Sequence, residues 1–263
     1  MRAAALALML AMTANPAAAE TVSLYAAGSL RAALTDVAQA YTAATGNKVD
    51  AKFGASGLLK DEIAGGAPAH VFASANMEHP QALAATGKGE KPRLFTRNTL
   101  CALVRPGLNV GTESLLDSML DPAIKVGSST PKADPSGDYA FESFAKAETV
   151  KPGAKATLEA KALKLTGSND SAKAPDGRNT YGWHVAERHA DIFLTYCTNA
   201  AAARAENPSL QVVALPKALS VGADYGMTVL TGAPAAARTL ADFILSPQGQ
   251  KILANHGFTP VGD

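Results

Sequence analysis

Twice between residues 24 and 63 a strand-like run ends in small residues, a serine follows, and a helical pattern begins at once: LYAAGSLRAAL (24–34) and FGASGLLKDEI (53–63). A strand that passes directly into a helix commits the next strand to run parallel to it, because the helix carries the chain back across the face of the sheet. The front of the chain keeps that rhythm. TVSLYAA (21–27), KVDAKFG (48–54) and HVFASA (70–75) read as strands. Between the first two, residues 29–45 put Leu30, Ala33, Leu34, Val37, Ala38 and Tyr41 on one apolar helical face. Gly46 closes that helix, and SGLLKDEIAGG (56–66) supplies the next one. The expectation is an α/β architecture with helices on both faces of a sheet.

From NTLCALVRPG (98–107) the pattern restarts with an apolar strand that ends in Pro-Gly. ESLLDSMLD reads as a helix, IKVGSS as a strand and SGDYAFESFAKAE as a helix. RNTYGWHVAERH carries a weaker helical pattern, and DIFLTY and DYGMTVLTG (224–232) are strands. In the closing pair of helices Ala237, Leu240, Ala241 and Ile244 share a face, Ser246-Pro247 breaks the run and Gly257 ends it. TGSNDSAKAPDG (166–177) reads as a surface loop.

Residues 1–19 are expected to stand outside this fold. Arg2, a short apolar run, Pro16 and the small residues Ala17 and Ala19 form the pattern of a secretory leader cleaved after Ala19. Removing them leaves 244 of 263 residues, enough for two lobes. Losing Arg2 takes the formal charge from +1 to zero, with no basic stripe, which argues against a nucleic-acid partner. Cys101 and Cys197 are too far apart for a CxxC redox or zinc motif. An exported chain allows a bridge between them, and two separate buried thiols are the alternative.

Three serines stand where an extended segment meets a helix: Ser29, Ser56 and Ser136. Serine is a favoured N-cap, and any one of them is accounted for by capping. Two of them, however, fall at the carboxyl ends of successive parallel strands, the edge where open α/β sheets bind ligands. Helix-terminal N–H groups and a hydroxyl there make an anion site. A secreted serine hydrolase using Ser56 is the competing class, but GASGL lacks the last glycine of G-x-S-x-G. The five histidines are scattered and the carboxylates show no cage-like spacing, so neither a metal site nor a cofactor is expected.

LYAAGSLRAAL, FGASGLLKDEIAGGAPAHVFASA, DPSGDYA, DIFLTYCTNA and ADFILSPQGQKILANHGFTPV together resemble the periplasmic molybdate-binding proteins of ABC transporters, over nearly the whole mature chain. The resemblance implies a two-lobed, type II periplasmic binding protein fold: two α/β lobes, each a mixed sheet flanked by helices, joined by two crossing strands. It divides this chain into residues 20–98 with 227–263 as one lobe and 99–226 as the other. It implies an oxyanion held between the lobes by Ser29, Ser56, the backbone of Ser136, a backbone donor near Gly177, and Tyr196. It also implies a monomer that delivers molybdate or tungstate to a membrane permease. Arg178 either adds charge to that site or opens a surface helix. The loop before Gly177 and Asn199 depart from the family pattern, which keeps sulfate and thiosulfate open as ligands. Fully deprotonated oxyanions want donors alone; phosphate keeps a proton and wants a carboxylate acceptor, for which Asp134, Asp138 and Asp176 are in range in the sequence.

Overall fold

The computed structural model describes residues 19–261, so the leader read from residues 1–19 lies, but for Ala19, outside the described residues. The chain begins with β1 (Thr21–Ala27), one 3-10 turn (Gly28–Leu30), α1 (Arg31–Thr45), β2 (Lys48–Gly54), α2 (Ser56–Ala64), β3 (Val71–Ala73) and α3 (Glu78–Ala85). β4 (Arg93–Val104), α4 (Leu115–Leu120), β5 (Val126–Ser129), α5 (Pro135–Val150), α6 (Ala154–Lys161) and β6 (Leu163–Thr166) follow. Next come α7 (Thr180–Ala186), β7 (Ile192–Tyr196), α8 (Cys197–Glu206), β8 (Gln211–Ala214) and β9 (Gly222–Val229). The chain closes with α9 (Ala235–Leu245), α10 (Pro247–Asn255) and β10 (Thr259–Pro260).

The strands join in the order β2-β1-β3-β9-β4-β7-β5-β6, with β8 and β10 also pairing β4. β1 runs parallel to β2 and β3, as the strand-to-helix junctions require. β9 is antiparallel to both β3 and β4. β4 is twelve residues long and serves both halves of the sheet. Its Arg93–Thr99 segment pairs β9, and its Leu100–Val104 segment pairs β7. The alternation of apolar and polar residues explains the packing. Leu34, Val37 and Tyr41 of α1 and Leu240, Ala241 and Ile244 of α9 are fully buried or nearly so, each large side chain contributing roughly 1.5–3 kcal/mol. The Tyr41 hydroxyl donates to the Ala236 carbonyl at 2.9 Å, which ties the first helix to the start of α9 across most of the sequence.

Two features of the fold lie outside the local pattern. The lysine-bearing stretch AKALKLTG contains β6, the last strand of the sheet. Lysines on an edge strand deter pairing with other chains, so composition concealed a strand there. Cys197 does not extend the β7 strand; it is the first residue of α8. The register that sets Leu100 opposite Tyr196 brings the neighbouring Cys101 close. The two cysteines are bonded, their Cα atoms 4.8 Å apart, and the two-thiol alternative is set aside.

Candidate functional site

A cavity of about 240 Å³ lies where the carboxyl ends of β1, β2, β6 and β7 meet the starts of α1, α2, α5 and α7. That is the edge at which open α/β sheets hold ligands. The volume falls below the ~300–1,000 Å³ of sites for drug-sized molecules, so a small ligand fits it better than a large one.

Ser29, Ser56 and Tyr196 all line this cavity. Neither serine caps its helix. Ser29 sits in the 3-10 turn ahead of α1, and its hydroxyl shares a 3.0 Å hydrogen bond with the Tyr225 hydroxyl. Ser56 is the first residue of α2, and its Oγ accepts the Ala75 N–H at 3.1 Å. Each hydroxyl thus bridges from its own strand-helix junction to another element. Gly57 beside it is required by close approach: a Cβ there would lie 2.3 Å from the Lys132 carbonyl oxygen and 2.6 Å from that of Ala133. The Gly57 N–H donates to that Ala133 carbonyl at 2.9 Å.

The buried Tyr196 hydroxyl points to the Ala75 carbonyl at 3.5 Å. Its ring packs edge-on against Tyr139 and Tyr225, with centroids 6.3 Å and 5.5 Å away. Burial first, then the nearby Tyr225 and Asp134, pushes the Tyr196 phenol well above its ordinary value. Burial does the same to Tyr225 and Tyr181. These phenols stay protonated across the physiological range, available as donors. Asn98 joins the cluster, donating to the Thr198 hydroxyl at 2.9 Å and to Tyr225 at 3.4 Å.

Ser136 is fully buried and does not line the cavity. Its N–H donates to Oδ1 of Asp134 at 3.1 Å, which makes Asp134 the cap of α5. Asp134 itself stands on the cavity wall. Burial raises its carboxyl above the usual carboxylate range, against hydrogen bonds from Ser136 and Ser129 that lower it. Gly167, with φ +85°, makes room for it: a Cβ there would meet the Asp134 Cβ at 2.5 Å.

Gly177 and Arg178 lie along a neighbouring groove of about 600 Å³ formed by the 166–178 loop, not in the cavity. Arg178 is bound to Glu206, Nε to Oε1 at 2.6 Å, and the Asn179 N–H meets the other oxygen at 2.6 Å. Of the two readings of Arg178, the surface one describes this arrangement. From that part of the chain Thr180 and Tyr181 reach the cavity instead. Arg31 is a lining residue that sequence reasoning passed over, its guanidinium 4.9 Å from the Phe53 ring centroid. Its place two residues after Ser29 was the available signal. Nothing local marks Tyr225 or Ala75, which arrive by tertiary contact. No histidine is among the described residues that line the cavity.

The family described as bacterial extracellular solute-binding protein matches residues 22–259. An uncharacterized protein of Pasteurella multocida strain Pm70 is 35% identical over 239 residues, 90% of this chain and 98% of that protein. The molybdate-binding protein ModA of Escherichia coli strain K12 is 27% identical over 266 residues, covering 96% of this chain and 95% of its own. The sulfate-binding protein SubI of Mycobacterium tuberculosis H37Rv has the same mixed α/β fold, with a TM-score of 0.75 at 21% identity over 92% of this chain and 87% of that one.

Proposed function

This chain belongs to the bacterial extracellular solute-binding proteins, and on that premise we propose that it captures a small oxyanion between two lobes and delivers it to the membrane permease of an ABC importer. A solute-binding protein makes and breaks no covalent bond, and the hydrolase built on Ser56 is set aside with it. In this reading the leader is removed after Ala19 and the mature protein works in the periplasm. Residues 20–98 and 227–263 form one lobe and 99–226 the other, with β4 and β9 crossing between them.

One observation carries the proposal: Ser29, Ser56 and Tyr196, three hydroxyl-bearing residues from three separate elements, line one small cavity. Hydroxyls and helix-terminal N–H groups satisfy a deprotonated oxyanion without a full counter-charge. Hydrogen bonds to a charged group are worth roughly 1.5–3 kcal/mol each, so five to seven reach the roughly −12 kcal/mol of nanomolar binding once water is excluded. Molybdate and tungstate are the leading ligands, supported by the resemblance in sequence and by the curated relative named for molybdate.

A thermal-shift panel of molybdate, tungstate, sulfate, thiosulfate and phosphate tests this. A ligand at a thousandfold excess over its Kd adds about 4 kcal/mol, so molybdate and tungstate are expected to raise the melting temperature by several degrees. A rise with sulfate or phosphate alone changes the ligand and leaves the site. No rise with any anion removes the anion reading.

A further inference from the structure

Among the described residues Asp134 is the one carboxylate on the cavity wall. The other lining side chains that can carry charge are Arg31, Tyr181 and Tyr196. The groups whose fields reach Asp134 come from four elements: Asp138 on its own helix α5, Tyr181 on α7, Tyr196 at the end of β7, and Tyr225 on β9. The three phenols stay neutral, and Asp138 is another negative charge. Arg31 is the sole lining cation, and its guanidinium lies over the Phe53 ring. The Asp134 carboxyl is also held in place. Oδ1 takes the Ser136 N–H at 3.1 Å. On the other side Gly167 closes in, its virtual Cβ 3.0 Å from Oδ2.

An oxyanion entering this cavity therefore meets a fixed carboxylate. Two like charges in contact, away from water, do not both stay ionised; one of them takes a proton. Resting on the anion-binding reading, we propose that the cavity takes up its oxyanion together with one proton, shared between the Asp134 carboxyl and a ligand oxygen. Molybdate, tungstate and sulfate carry no proton at neutral pH, so with them the proton comes from solvent and resides on Asp134. Phosphate and arsenate bring their own. The burial that already disfavours the ionised form of Asp134 makes its protonation easier. Capture then strengthens as pH falls: where Asp134 is ionised in the free protein and protonated in the complex, each pH unit changes affinity about tenfold.

The experiment is calorimetric titration of the full mature chain with sodium molybdate, and separately with sodium sulfate, at about pH 7, 8 and 9, where neither anion titrates. Each binding heat is measured in buffers of differing ionisation enthalpy, which reads proton uptake directly. The expected result is uptake of one proton per anion and an affinity that falls about tenfold per pH unit. Asp134→Asn keeps a capping side chain, since asparagine serves as well there, and is expected to bind with a flat pH profile and no proton uptake. Asp134→Ser, another capping residue, serves if the asparagine variant does not fold. Asp138→Asn is expected to retain the slope. A flat native profile without proton uptake overturns the proposal and leaves the anion reading intact, as does an unchanged slope in the Asp134 variants. Failure of every anion to bind, at any pH and in any variant, overturns both.

Discussion

At the scale of single residues, Ser29 and Ser56 have separate costs because their hydroxyls have different partners. Removing the Ser29 hydroxyl breaks one partly buried bond to Tyr225, so Ser29→Ala is expected to lose about 1 kcal/mol of stability. Ser56→Ala leaves the buried Ala75 N–H without an acceptor, and the larger loss, about 1–3 kcal/mol, belongs there. Both changes also remove a donor from the cavity, and each is expected to weaken molybdate binding by about tenfold, or about 1.4 kcal/mol. Urea unfolding and calorimetric titration of the two variants check the pair. Unchanged affinity in both would leave the serines as structural bridges. Tyr196→Phe provides the same test from the opposite side, because its phenol stays neutral and able to donate at every pH of interest.

Two predictions belong to the elements. The bond between Cys101 on β4 and Cys197 at the start of α8 spans 96 positions of sequence. A cross-link closing a loop of that length stabilises by roughly 4–5 kcal/mol in the chain-entropy treatment. The denatured, unreduced protein should show no reactive thiol, and reduction should lower its stability on that scale; two reactive thiols per chain would contradict the bond. The second concerns α7. His184 is buried beside His189 and stacks near Phe193. Burial first, then His189, lowers its imidazole from 6.5 to about 4. The unfolded chain takes up that proton below 6.5 and the folded protein only below about 4. Acid therefore favours unfolding through this window, and stability falls as pH drops across it. Melting temperatures over this range should fall more steeply for the native chain than for His184→Gln.

At the scale of the whole molecule, function in this reading depends on closure, and Gly57 is a point where α2 meets the loop ahead of α5. Its N–H bonds the Ala133 carbonyl at 2.9 Å, and a Cβ would drive into the loop ahead of α5. Gly57→Ala is expected to hold the sides apart and to weaken anion binding tenfold or more, while scattering shows the native chain contracting on saturation with molybdate and the variant failing to. The sequence alone determined the parallel β1-β2-β3 arrangement and the buried faces of α1 and α9, because period and junction chemistry are local properties of the backbone. It also marked Ser29 and Ser56, since strand ends are legible wherever a helical pattern starts, while Tyr196 was marked only by the resemblance to a family. It did not distinguish α8, which opens on Cys197 directly after a strand, or β6, whose lysines match an edge as well as a solvated face. What the serine hydroxyls bind, that Asp134 rather than a serine caps α5, and that Arg31 joins the wall while Arg178 turns to Glu206 were decided by tertiary structure. The reason is physical: a hydroxyl, a carboxylate or a guanidinium takes the partner that long-range packing brings within about 3 Å, and no local period encodes which partner that is.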